Sequence, residues 1–218
     1  KAQRKGMPDD LAAQMPIMKD VLSAMNIKIL EQEGYEADDI IGTVADICDK
    51  QGIECIIVTG DKDDLQLATD STKVYLTTTS KGQTVTDIYD KAAVVEKYGV
   101  TPDEFIDVKA LMGDASDNIP GVAGIGEKTA LSLIQRCKSI EALYDDLEGN
   151  GVKGAALKKL QAGRESAFMS KTLATIDKHV PVEFSPEDAA VAPYDSAKLA
   201  ALFEKLAFKS FLKKLDLE

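Results

Sequence analysis

Apolar positions recur along this chain in two rhythms, one helical and one strand-like. Pro8-Asp9-Asp10 is a helix start, and Leu11, Met15, Met18, Val21, Leu22 and Met25 then fall on one helical face. Methionine on such a face points to core packing. Residues 27–30 predict a short strand. Ile40, Ile41, Val44, Ile47 and Cys48 give the next helix a buried stripe, which Gly52 ends. Residues 55–59 predict a continuous apolar strand of the kind buried on both faces of a parallel sheet. The order strand–helix–strand is a βαβ unit.

Further along, residues 64–68 predict a short helix. Val74-Tyr75-Leu76 and Thr84-Val85-Thr86 flank Ser80-Lys81-Gly82, a hairpin signal. Residues 90–98 are helical and stop at Gly99. Thr101-Pro102-Asp103-Glu104 is a capping box with Pro at N1, opening a helix that runs to Met112. Helix signals dominate afterwards, over 127–137, 139–147, 154–161 and 164–176. Residues 180–184 predict a last strand, 186–194 a polar linker, and the apolar positions from Leu199 to Leu212 a terminal helix pair. The fold class expected is α/β, a parallel-sheet core followed by a helical region. We expect a core over 1–112, a helical region over 113–184, and a linker with terminal helices over 185–218.

Composition narrows the class. The chain has 218 residues and an apolar fraction of 44%, enough for one large domain or two small ones. There is no run long and apolar enough to span a membrane, and no secretory signal opens the chain. Cys48, Cys55 and Cys137 are odd in number and widely spaced, which predicts reduced thiols in a cytoplasmic setting, without zinc spacing. The net charge of −11 argues against a generic nucleic-acid binder. Its distribution matters more.

Three acidic clusters each sit at the end of a predicted element: Glu36-Ala37-Asp38-Asp39, Gly60-Asp61-Lys62-Asp63-Asp64, and Gly113-Asp114-Ala115-Ser116-Asp117-Asn118. Each alone can be read as a helix cap or a turn. Together they can converge on one divalent-metal site, and oxygen-only ligands suit Mg²⁺ or Mn²⁺. The first two would lie on the carboxyl edge of the sheet, where α/β proteins place their sites. A glycine-rich stretch follows: Gly121, Gly124 and Gly126 allow tight turns, and a helix starting near Glu127 would point free N–H groups outward beside Lys128. That is the geometry of a helix–hairpin–helix gripping a DNA backbone; the plainer alternative is a tight turn between packed helices. The spacing is not that of an NTPase phosphate loop.

Glu36-Ala37-Asp38-Asp39, Thr59-Gly60-Asp61-Lys62-Asp63, and the run from Leu111-Met112-Gly113-Asp114 through Asp117-Asn118-Ile119-Pro120-Gly121-Val122 to Gly124-Ile125-Gly126-Glu127-Lys128-Thr129-Ala130 resemble, in order and spacing, the 5′-nuclease domain of bacterial DNA polymerase I. That domain is a branch of the flap endonuclease superfamily with a PIN-like core. The resemblance implies a structure-specific 5′→3′ exonuclease and 5′-flap endonuclease acting by a two-metal mechanism in primer removal and repair. It assigns metal binding to Glu36, Asp38, Asp39, Asp61, Asp63, Asp114 and Asp117, and leaves Asp46 and Asp64 as surface or capping residues. Lys1 and Arg4 stand where the family has the basic foot of its helical arch, with a role on the scissile phosphate. DNA binding falls to Gly121, Gly124, Ile125, Gly126, Lys128 and Thr129, and the backbones of Val122 and Ile125 are candidates for a monovalent cation such as K⁺. The implied partner is flapped, nicked or gapped DNA, with no membrane, a following polymerase region in the parent, a monomeric state and a bacterial cytoplasmic, nucleoid-associated location. The chain starts on a basic stretch without Met, and the family's early strand and its Asp lie outside it, so we expect an N-terminally truncated domain. The alternative expectation is a non-catalytic DNA-binding fragment with an incomplete metal site. A doubly wound acidic phosphohydrolase ranks below both, since it has no use for the glycine hairpin.

Overall fold

Helix boundaries follow local chemistry. The computed structural model describes residues 6–217. Its first elements are α1 (Asp9–Ala12), α2 (Met15–Ala24), α3 (Ala37–Gln51), β1 (Cys55–Thr59), a 3₁₀ helix (Lys62–Leu67), β2 (Thr72–Ser80) and β3 (Gln83–Tyr89). Then come α4 (Lys91–Tyr98), α5 (Pro102–Met112), α6 (Glu127–Cys137), α7 (Ile140–Asp145), α8 (Gly154–Ala162), α9 (Arg164–Ala174), a 3₁₀ segment (Pro186–Ala189), α10 (Ser196–Lys205) and α11 (Lys209–Lys214). Thr101 and Glu104 close the expected capping box at α5. Left-handed Gly52 and Gly99 end α3 and α4.

The chain divides into two compact units. The larger, Tyr35–Val180, holds the sheet, ordered β1-β2-β3. β1 and β2 are parallel, with Ile57 opposite Val74, and β2 and β3 form the antiparallel hairpin turned by Lys81 and Gly82. The core includes Leu65, Val74, Val108, Leu111, Ile134 and Leu160. α5 packs against α6, α9 and the first 3₁₀ helix. Hydroxyls of Thr69, Ser71 and Thr72 all donate to Asp49 Oδ1, at 3.1, 2.6 and 2.8 Å, tying α3 to the connection between β1 and β2. Gln66 bonds Ala174 O and Ile176 N–H, each at 3.0 Å, and lays the chain after α9 against the 3₁₀ helix.

The second unit joins the chain up to Gly34 with the chain from Pro181 onward. Ala24, Leu199 and Phe203 form its centre, with Val21, Met25, Leu202 and Leu212 around them. Asp195 N–H donates to Ala24 O at 2.8 Å.

Four expectations need correction. The first helix is broken at Ala13-Gln14 into α1 and α2, and Leu11 and Met18 are exposed, so its stripe is only partly a core face. Residues 27–30 form no strand, because they find no ladder partner among the described residues; β1 and β2 are linked by the 3₁₀ helix instead of a preceding βαβ unit. The Glu36 cluster therefore follows an irregular turn. Residues 180–184 form no strand either. Finally, β1 is not buried on both faces: Ile56 is 51% and Val58 71% exposed, while Ile57 faces the core. The sheet is one layer here, covered on one side.

Candidate metal centre and nucleic-acid interface

Three local devices shape the acidic clusters. At the end of β1, Asp61 accepts the N–H of Asp63 at 2.9 Å and caps the 3₁₀ helix. The tight turn carries Asp63 and Asp64 inward, to 7% and 0% exposure. At α3, Glu36 and Asp39 form a capping box. Asp39 also accepts the N–H of Asp177 at 2.9 Å, so it braces the chain after α9 as well as facing the cleft. After α5, Asp114 and Ile119 exchange both backbone hydrogen bonds at 2.8 Å, closing the third cluster into a small loop. The Ser116 N–H and hydroxyl both donate to Asp114 Oδ1.

These devices bring the clusters together. Carboxylate oxygens of Asp63, Asp114 and Asp117 lie within 4.8 Å of one another. Glu36, Asp38 and Asp39 share with Asp63 and Asp117 a cleft of about 390 Å³, bounded on its far side by residues 172–177. Asp61 stands beside Asp63 through its hydrogen bond. All seven predicted carboxylates belong to the larger unit.

Two neighbours were not foreseen. Asp64, expected on the surface or at a cap, is fully buried. Asp46, by contrast, pairs with exposed Lys50 one turn along α3. Lys109 projects from the buried face of α5 and pairs with both Asp63 and Asp114. A lysine among Phe105, Val108, Ala110 and Leu111 was the signal available in the sequence.

The electrostatics follow from burial and this pairing. Burial raises Asp64 to about 6, offset in part by the Thr59 hydroxyl and reinforced by Asp38, Asp61 and Asp63. Burial also raises Asp63, against the pull of Lys109. At Asp114 burial is outweighed by Lys109 and Ser116, which hold it down at about 2. At Lys109 burial works against the charge, and Asp114 with Asp63 more than restores it. An all-oxygen donor set, with ligand oxygens of three carboxylates within 4.8 Å of one another, fits a hard divalent cation.

The glycine stretch continues the same loop. Gly121 and Gly124 are left-handed, with φ of 60° and 77°. Gly121 packs on Gly113 so closely that an added Cβ would stand 2.3 Å from Gly113 N. Ser166 donates to Gly121 O at 2.5 Å and Ser170 accepts from Gly121 N–H at 2.9 Å, pinning the loop to α9. Lys159 of α8 donates to Gly124 O at 3.0 Å. Gly126 is the N-cap of α6, and Gly126, Lys128 and Thr129 are exposed around its first turn. Val122 and Ile125 are buried, and Val122 O accepts the Ile125 N–H at 2.9 Å. Lys1 and Arg4 lie outside the described residues.

Comparison with known proteins extends these observations. A family model described as the 5′-3′ exonuclease N-terminal resolvase-like domain matches residues 1–99, and one described as the 5′-3′ exonuclease C-terminal SAM fold matches residues 100–197. DNA polymerase I of Caldicellulosiruptor bescii is 43% identical over 217 residues, covering 100% of this chain and 25% of that protein. DNA polymerase I of Bacillus caldotenax is 44% identical over 217 residues, covering 99% and 24%. The chain thus spans about a quarter of the length of these curated relatives. Among solved structures, T5 5′-exonuclease with bound zinc superposes with a TM-score of 0.64 at 23% identity, over 94% of this chain and 72% of that one. Human GEN1 in complex with Holliday junction DNA superposes with a TM-score of 0.60 at 18% identity, over 95% and 49%. These two share the fold. With both family models matched in succession over residues 1–197, the chain belongs to the 5′-3′ exonuclease family.

Proposed function

We propose that this chain is the nuclease portion of a bacterial DNA polymerase I. In this reading it hydrolyses DNA phosphodiesters as a structure-specific 5′→3′ exonuclease and 5′-flap endonuclease, in primer removal and repair. It works in the cytoplasm, at the nucleoid, as a monomer joined to a polymerase region. The observation that carries the reading is one loop, residues 113–126, which bears Asp114 and Asp117 of the carboxylate cluster and then the glycines leading into α6.

Glu36, Asp38, Asp39, Asp61, Asp63, Asp114 and Asp117 would hold two or more Mg²⁺ or Mn²⁺ ions. Held there, such ions would lower the pKa of a water and stabilise the negative charge that develops on the phosphate. The chain's own groups do the rest. The free N–H groups of the first turn of α6, with Lys128, bind a DNA phosphate without reading sequence. The Gly113–Gly121 contact and the two serines of α9 keep that grip in fixed register with Asp114. Lys1 and Arg4 would neutralise charge on the scissile phosphate. The backbone carbonyls of Val122 and Ile125 would be the candidate ligands of a K⁺ ion at the hairpin.

Incision of a labelled 5′-flap duplex, with Mg²⁺ and with EDTA, tests the reading. Cleavage dependent on metal, and lost in Asp61→Ala and Asp114→Ala at unchanged DNA affinity, is expected. Full activity in both variants would sink it. Binding without incision would leave a DNA-binding module with an incomplete metal site.

A further inference from the structure

We infer that Lys109 is a positioning residue, a resident cation that holds Asp63 and Asp114 together while no divalent ion is bound and competes with the ion that follows. The inference rests on the metal-nuclease reading and adds to it a residue that the sequence motifs do not include.

The geometry is unusual for a lysine. Its side chain is 6% exposed, and its ammonium reaches one carboxylate from the 3₁₀ helix after β1 and one from the loop after α5. Asp63 on one segment and Asp114 on the other are 51 positions apart in sequence. Asp63, Asp114 and Asp117 stand within 4.8 Å of one another, where like charges repel strongly in a half-buried setting. A positive charge between two of them makes that arrangement tolerable without metal. The ammonium pairs with Asp63 Oδ1 and Asp114 Oδ2, and Asp114 Oδ1 accepts from Ser116. Both carboxyl groups are thus fixed in orientation before any ion arrives. A lysine that served packing alone would have no reason to bridge two members of the cluster. One that bridges them also places a positive charge next to the incoming ion, and so lowers the site's affinity for it.

Two linked effects follow on Lys109→Gln, which keeps length and polarity but removes the charge. In EDTA the full chain should melt about 10 °C lower, the scale expected when one partner of a buried ion pair is removed. Mg²⁺ affinity, read by titration calorimetry, should rise about tenfold, because the competing charge is gone. Saturating Mg²⁺ should therefore recover most of the lost melting temperature, by preferential binding to the folded state. Lys109→Arg, which keeps the charge, should behave like the unsubstituted chain in EDTA.

A variant that folds only with Mg²⁺ supports the inference as well. Equal melting losses with and without Mg²⁺, or failure to fold in both, would mean that the lysine is only structural and would overturn it. So would unchanged or weaker Mg²⁺ affinity in Lys109→Gln. If the unsubstituted chain takes up no Mg²⁺, the nuclease reading falls and this inference with it. Binding by the unsubstituted chain, with no difference in the variant, sinks the inference alone.

Discussion

Asp64 shows how a single residue escapes a sequence reading. In Asp61-Lys62-Asp63-Asp64 every acid has the same local appearance, and only the sharp turn capped by Asp61 decides which ones go inside. Burial then lifts Asp64 to about 6, against about 3.9 in an unfolded chain. The folded state binds the extra proton between those values, so stability falls as pH rises from about 4 to about 6 and stays lower above. Asp64→Asn removes the titration. In EDTA at pH 7.5 it should unfold in urea with a stability about 2–3 kcal/mol above the unsubstituted chain, and the two should converge at pH 4. A constant difference at both pH values would contradict this origin. Asp114 is the opposite case: its local signal, an Asp after a helix-ending glycine with Ser116 two residues on, was readable, and its partners hold it ionised. Asp114→Ala should cut incision by at least about a hundredfold, the scale of losing a group that acts at the reacting phosphate, in single-turnover assays.

Elements were legible where their signals are local. The capping box at Thr101, the left-handed stops at Gly52 and Gly99 and the Lys81-Gly82 turn each sit within a few residues of the element they define. Residues 27–30 and 180–184 have strand-like apolarity, but a strand needs a partner, and partnership is not written in a five-residue window. The loop from α5 to α6 was legible through its glycines, though not its anchoring by Ser166 and Ser170, which lie more than forty residues downstream. Its two kinds of glycine predict different outcomes. Gly121→Ala meets backbone at 2.3 Å in a left-handed position and should cost about 2–4 kcal/mol, with weakened DNA binding wherever the chain still folds. Gly126→Ala has open space around it and an ordinary φ of −97°, and should change stability by no more than about 1 kcal/mol. Thermal melts of the pair separate a packed hairpin from a merely flexible one. At the start of α6, Lys128→Ala should weaken DNA binding about equally across sequences and lower the slope of log affinity against log salt by about one.

At the scale of the molecule, charge and apolarity are both distributed in ways that composition hides. The net charge of −11 looks hostile to DNA, yet Glu36, Asp38, Asp39, Asp63 and Asp117 are gathered along one cleft, and Lys128, Lys158 and Lys159 lie near the hairpin. The reverse holds for β1. Its run Cys55-Ile56-Ile57-Val58-Thr59 reads as two-sided core, because apolarity alone cannot tell whether a second layer covers the strand. In the larger unit Ile57, Val74 and Leu76 face the core, while Ile56 and Val58 open onto the other side with Ile88. Exposed apolar side chains on a strand contribute little to stability and invite association. Replacing both Ile56 and Val58 by Thr keeps the β-branched shape that suits a strand and removes that surface. The double variant should unfold within about 1 kcal/mol of the unsubstituted chain and should stay dispersed to higher concentration in light scattering. A loss of several kcal/mol would mean instead that these two side chains are covered in solution, and that the sheet is two-sided after all.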